Sequence, residues 1–422
     1  MHIALITAGG AGMFCGSCMH DNTLARALIA AGHEVSLIPT YTPIRVDEQD
    51  VSARHVYLGG INVYLDALIP LWNRLPRAAT RWLDAPWLIR LVTQFALSTS
   101  ANKLGRLTVA LLEGDQGPQA REIDELVRHV GEHLKPDVVC FSNALLAGVL
   151  PRLKQVYAGP VVCILQGDDI FLNDLIEPYR EQALKLLRQH AKLFDRFLVH
   201  SAYYRDSMAK ILGLDRARMH VVPLGIDLAG HDGVPRGRPG DPLTIGYFAR
   251  ICPEKGLHAL VDAFRIVHEQ HPRTRLVAAG YLGPRDQEYF RDIQRRAADL
   301  GDAFHYAGSP PGHVEKVEFL KSLDILSVPT TYREPKGLYV LEALANGVPV
   351  VQPRHGAFPE MLAATGGGVL VNPDDPVDLA RGLSELIADP ARRFELATRG
   401  RDAVRAGFNT VTMAEKTVAA LK

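Results

Sequence analysis

Residues 2–39 read HIALITAGGAGMFCGSCMHDNTLARALIAAGHEVSLIP. A β-branched run, HIALIT, gives way to an amphipathic NTLARALIAAG and then to a second strand-like run, HEVSLIP. A helical period between two short apolar runs makes a β-α-β unit. The motif returns at DVVCF, VVCIL and RFLVH, and such alternation predicts a parallel sheet with helices on both faces. After VVPLGID comes LAGHDGVPRGRPGDP, whose glycines and prolines read as a linker. A second alternating series follows in LTIGYFA, RLVAAG, FHYAG, DILSVP, VPVVQ and GVLV. The expected fold is α/β, with two doubly wound, Rossmann-like domains at residues 1–228 and 243–405 facing a ligand-binding cleft. The linker is expected at 229–242, a helical insertion at 60–100, and a C-terminal helix at 406–422 that packs back on the N-terminal domain.

Length agrees with this division, because single cores stop growing at roughly 250 to 300 residues and the chain has 422. Lys and Arg total 47 and so do Asp and Glu, so no global field recruits nucleic acid and an anionic ligand must be held locally. The first residues lack a basic leader pattern, and no run of about 18 apolar residues suggests a membrane span. The five cysteines form no secreted disulfide framework, which points to a cytoplasmic protein.

Four segments carry chemistry. Gly9, Gly10 and Gly12 sit where the first strand turns into the first helix, a place for an anionic or hydroxyl-rich ligand at free backbone N–H groups, or else a plain tight turn. The last glycine of a dinucleotide fingerprint is missing, and Pro39-Thr40-Tyr41 offers no acid for a ribose, so nicotinamide chemistry is disfavoured. Cys15 and Cys18 lack a second ligand pair and read as small packing residues of the turn; no metal site is expected. In GYFARICPEKGLHALVDAF, Arg250 leaves a strand and Lys255 precedes a helix, which suits a diphosphate. In residues 332–351, YREPKGLYVLEALANGVPVV, Pro335 delays the helix, Gly337 relieves the backbone, and free N–H groups follow at Leu338 and Tyr339. Glu342 lies one turn inside an apolar helix, where a carboxylate needs partners; a ribose diol supplies two hydroxyls.

The spacing Glu334-x7-Glu342 within E-P-K-G-L-x-x-x-E-A-L-A-x-G-x-P-V-V resembles the retaining GT-B glycosyltransferases of family four. The likeness also takes in the glycine loop, A-x-GHEV at residues 30–35, KPDVV, VVPLGID, ARICPEKGL, LVAAGYLG, FHYAG and LVNPDDPVDLARGL. It implies a GT-B fold and transfer of a hexose from a nucleoside-diphosphate sugar to a hydroxyl acceptor, with retention and without a metal or other cofactor. By position, Arg250 and Lys255 neutralise the diphosphate, Glu334 takes sugar hydroxyls, and Glu342 holds the ribose. Backbone N–H groups from Lys336, Gly337, Leu338 and Tyr339 meet sugar and phosphate, Gly10 and Gly12 let the donor approach, and the base rests near residues 306–311 and the loop after Gly280. Two positions depart from the family: Lys336 stands where Phe is common, a third cation or a solvent-facing one, and Gln166 stands where a histidine usually touches the sugar.

Partners implied are a nucleotide sugar and a carbohydrate or lipid-linked acceptor. Residues 59–96 hold all three tryptophans, Trp72, Trp82 and Trp87, and read either as a packed acceptor lid or as a peripheral contact at the inner membrane face. A sugar-nucleotide epimerase or phosphorylase of the same architecture, and a non-catalytic nucleotide-sugar-binding protein, are the alternative functions.

Overall fold

A computed structural model describes residues 1–9, 15–59, 101–238 and 240–422. Gly10, Gly12 and the expected insertion at 60–100 lie outside the described residues. The chain divides into two units, Met1–Pro223 with Met413–Lys422, and Leu224–Thr412.

The first unit is built on strands β1 (His2–Ala8), β2 (Glu34–Thr40), β3 (Val138–Phe141), β4 (Val161–Ile164), β5 (Arg196–Val199) and β6 (Met219–Val221), all parallel, in the order β2-β1-β3-β4-β5-β6. Its near-continuous apolar strands follow from burial on both faces. Ile3 and Leu5 join Val138, Cys140, Val162 and Ile164 on one side, while Ala4 and Ile6 join Val139, Phe141, Val161 and Cys163 on the other. Met413, Ala414 and Leu421, from the C-terminal helix Thr410–Leu421, belong to the first of these clusters. Strand β6, MHV, is too short to show a pattern in sequence and was not expected; pairing with β5 defines it.

The second unit contains β7 (Leu243–Phe248), β8 (Thr274–Ala279), β9 (Phe304–Tyr306), β10 (Ile325–Leu326), β11 (Val350–Pro353) and β12 (Gly368–Val371), again parallel, in the order β12-β11-β10-β7-β8-β9. Winding runs outward from β7 in both directions. The strand order therefore reverses between β7 and β10, and in doubly wound sheets the loops at that point are where ligands bind.

The glycine-rich segment at 229–242 is a correction to the expected linker. It belongs to the second unit, because its backbone has partners there. His231 is buried, its Nδ1 meets Asn346 Nδ2 at 2.8 Å, and the Gly233 N–H donates to Asn346 Oδ1 at 3.3 Å. Arg401 Nε donates to the Gly233 carbonyl at 2.8 Å, and Arg405 to that of His231. Composition signalled loop; it carried no information about what the loop packs on.

Candidate active site

Strand β7 delivers Arg250, Cys252 and Lys255 before the helix Leu257–Gln270, and β10 leads through Tyr332 and Glu334 to the helix Leu338–Ala345. These two loops flank the reversal of strand order and are pressed together at Gly256, which has φ 73°. A Cβ there would stand 1.8 Å from the Pro329 carbonyl oxygen, so no other residue fits. The Thr331 N–H also donates to the Glu254 carbonyl at 3.0 Å.

That contact brings a cluster together. Lys255 Nζ donates to Glu334 Oε2 at 2.5 Å and to the Tyr332 hydroxyl oxygen at 2.6 Å. The Tyr332 hydroxyl donates in turn to Glu334 Oε2 at 2.7 Å, and that of Tyr339 at 3.3 Å. The ammonium stands 5.0 and 5.4 Å from the ring centroids of Tyr332 and Tyr339, within cation–π range. Glu334 is 4 % exposed. Burial alone would raise its carboxyl, but the Lys255 charge, hydrogen bonds from Lys255 and Tyr332, and the Lys336 charge outweigh it and hold the group below its usual value. The other oxygen, Oε1, has a long contact with the Lys336 N–H at 3.4 Å. Lys336 is itself buried, so the solvent-facing reading of that side chain falls.

Arg250 stands at the rim. Its Nε donates to Cys252 Sγ at 3.2 Å, and its Nη2 lies 3.9 Å from Glu254 Oε1 with both side chains 43 % exposed, a surface pair that contributes little. Burial pushes the Cys252 thiol up to about 11, so a neutral sulfur accepts that N–H. Burial and the Glu334 charge push the Tyr332 hydroxyl well above its usual value, against the opposing pull of the Arg250 charge.

Gly337, with φ 76°, precedes the helix Leu338–Ala345 in the left-handed conformation that lets the chain enter it without a side-chain cap. Glu342, one turn in, meets Lys316 Nζ at 2.7 Å, and the two residues are 8 % and 4 % exposed. The apolar setting of Glu342 signalled that a partner exists, but Lys316 sits in HVEKVEFLK, which reads as an ordinary surface helix. Tyr332 was also missed, since an aromatic beside Pro and Arg in a loop carries no mark of its role. The base-side expectation joins two loops: the Tyr306 hydroxyl donates to the Gly280 carbonyl at 2.8 Å.

Gln166 lies in the first unit, after β4. Its Nε2 donates to Asp21 Oδ1 at 2.7 Å and to the Ser142 carbonyl at 3.3 Å, while Thr7 Oγ1 donates to Asp21 Oδ2 at 2.6 Å. The Gln166 N–H donates to Asp168 Oδ2 at 2.9 Å. Burial pushes the Asp168 carboxyl up to about 6, against the pull of backbone N–H groups from Gln166 and Ala144. These residues form a buried polar network around the carboxyl ends of β1, β3 and β4, in which Asp21 was not anticipated. Cys18 is buried and donates to the Ala8 carbonyl at 3.2 Å, and among the described residues no cysteine is in a disulfide. Among the described residues no group of three His, Cys, Asp or Glu is arranged to hold a metal, and no helix is long and apolar enough to cross a membrane.

Comparison with known proteins follows the same outline. The family described as Glycosyl transferases group 1 matches residues 234–403, and Glycosyltransferase Family 4 matches 105–229. A GDP-mannose-dependent α-(1-6)-phosphatidylinositol monomannoside mannosyltransferase of Mycolicibacterium smegmatis is 28 % identical over 81 % of this chain and 89 % of its own length. A glycogen synthase of Mycobacterium tuberculosis is 27 % identical over 67 % of this chain and 68 % of its own. Among solved structures, Anabaena HepE in complex with UDP superposes with a TM-score of 0.68 at 15 % identity, covering 100 % of this chain and 99 % of HepE. Sucrose-phosphate synthase from Thermosynechococcus elongatus gives a TM-score of 0.67 at 19 % identity, covering 99 % of this chain and 98 % of the synthase. With two parallel six-stranded sheets and both family matches in chain order, this chain belongs to the group 1 glycosyltransferases and has the GT-B fold.

Proposed function

We propose that the chain is a retaining, metal-independent hexosyltransferase that takes its sugar from a nucleoside diphosphate and delivers it to a hydroxyl of a carbohydrate or lipid-linked acceptor. The observation that carries this reading is the buried cluster of Lys255, Tyr332 and Glu334 at the reversal of strand order, with Arg250 at its rim.

An ammonium has three donors, and Lys255 spends two on Glu334 and Tyr332, so the third is left for a phosphate oxygen. Arg250, about two-fifths exposed, adds a planar fork for the same diphosphate, and Lys336 a further positive charge. Glu334 Oε1, weakly engaged, accepts sugar hydroxyls. Glu342 takes the ribose hydroxyls, and the backbone N–H groups of Gly337, Leu338 and Tyr339 complete the cradle. As the bond from the anomeric carbon to the β-phosphate oxygen breaks, negative charge grows on the phosphate beside these cations. The acceptor oxygen attacks from the same face, and the departing phosphate oxygen takes its proton. Positioned charge then does the catalysis, and no protein nucleophile or metal is called for. The lipid-linked option is supported by the mannosyltransferase relative, whose acceptor is a phosphatidylinositol mannoside.

Purified protein incubated with UDP-, GDP- and ADP-hexoses and a panel of carbohydrate and lipid-linked acceptors in the presence of a chelator should release nucleoside diphosphate from one of the donors. Lys255→Ala should lower that rate at least about a hundredfold at saturating donor, the scale of losing one preorganised charge contact. An unchanged rate in the variant, or activity that requires an added divalent ion, contradicts the reading.

A further inference from the structure

We propose that Lys316 is a positioning residue for the nucleoside: it turns the Glu342 carboxylate so that both ribose hydroxyls are accepted at once. The inference rests on the reading of Glu342 as the ribose ligand given above.

Helix Leu338–Ala345 is apolar on nearly every face, and Glu342 is buried in it beside Val340, Leu341, Ala343 and Leu344. Burying a carboxylate in that setting is costly unless a partner faces it. Lys316 Nζ faces it at 2.7 Å, with 5 % of the lysine side chain and 10 % of the glutamate side chain exposed. Two buried charges at that distance are not a source of net stability that a pair of apolar residues would fail to match. Their retention beside a candidate ligand site therefore calls for a functional reason.

Geometry supplies one. Lys316 donates to Oε1, and the Glu342 side chain keeps 10 % of its surface exposed. Each carboxylate oxygen accepts two hydrogen bonds, so Oε1 can serve Lys316 and one hydroxyl while Oε2 serves the second. Both helices are clipped to one strap. His313 Nε2, at the start of the Lys316 helix His313–Lys321, lies 2.8 Å from the Ala229 carbonyl and so donates to it, and the rings of His313 and His231 meet edge to face at 5.4 Å. Asn346, at the end of the Glu342 helix, reaches His231 Nδ1 at 2.8 Å and donates to the Glu342 carbonyl at 3.0 Å. Segment 229–233 thus fixes the separation of the helices that carry the pair.

The test is titration calorimetry of UDP, GDP and ADP against their 2′,3′-dideoxy counterparts. The wild-type chain should favour the diol form of its own nucleotide by at least about tenfold, the scale of a hydrogen bond to a charged group. Lys316→Met should remove most of that preference while changing the dideoxy affinity less than about threefold. Lys316→Arg should restore it at neutral pH. Lys316→Gln, which keeps a donor for Oε1 without the charge, is read in parallel and carries the test if the Met variant does not fold. Equal loss of diol and dideoxy affinity, or an intact preference in the Met and Gln variants, overturns the proposal. Glu342→Gln separates the two levels of inference. An undiminished preference in that variant defeats the ribose role of Glu342 itself, whereas its loss there with retention in the Lys316 variants defeats the role of Lys316 alone.

Discussion

Glu334 is nearly dry yet held below the ordinary carboxylate range, because Lys255 and Tyr332 outweigh its burial. A carboxyl depressed on folding contributes stability above its unfolded pKa, and that contribution is lost as pH falls through the folded value. Acid melts of the wild-type chain should therefore show a loss below about pH 4.5 that is absent in Glu334→Gln. Tyr332→Phe removes one hydrogen bond to the charged oxygen, so it should lower stability at neutral pH by about 1 to 3 kcal/mol, and it should make the acid loss smaller and complete at a higher pH, with its onset unchanged. Denaturant titrations from pH 3 to 7 check both, and an acid limb unchanged in Glu334→Gln would mean that this carboxyl is not the one titrating. At this scale the sequence was readable only one sign at a time. Arg250, Lys255 and Glu334 stand at recognisable strand exits, but which of them touch depends on β7 and β10 being neighbours although they are far apart in the chain. Lys316 and Tyr332 were hidden for that reason, since each takes its role from a partner supplied by another element.

The loops matter because they turn separate elements into one surface. Gly256 is where the β7 loop lies against the β10 loop, and a methyl group there meets backbone oxygen in a conformation that L residues avoid. Gly256→Ala should cost at least about 2 kcal/mol and weaken binding of the nucleotide through displacement of the adjacent Lys255. Gly407, which ends the helix Pro390–Gly407 with nothing near its missing Cβ, provides the contrast: Gly407→Ala should be neutral or stabilising by up to about 1 kcal/mol. Equal effects in chemical denaturation would contradict this account of the contact. Strands were legible here where they sit in longer apolar runs, even the two-residue β10 within DILSVP, whereas MHV stands in no such run of its own and did not mark β6, and the segment at 229–242 was mistaken for a linker because glycine and proline report backbone freedom and not packing.

Across the molecule, alternation of strand and helix specified two parallel sheets because strands buried on both faces must be apolar almost throughout. Balanced charge has a counterpart in the site, where a diphosphate would be met by a few local cations and not by a basic face. The network of Gln166 and Asp21 in the first unit was legible only as a departure from a family pattern, since buried polar partners leave no periodic trace. The central claim is that Arg250 and Lys255 together receive a pyrophosphate. Calorimetric comparison of the cognate nucleoside diphosphate with its parent nucleoside, in the wild-type chain and in the Arg250→Ala/Lys255→Ala double variant, addresses it most directly. Wild type should bind the diphosphate at least about a hundredfold more tightly than the nucleoside, and the double variant should bind the two nearly alike with nucleoside affinity retained. A preference for the diphosphate that survives removal of both cations would contradict the account.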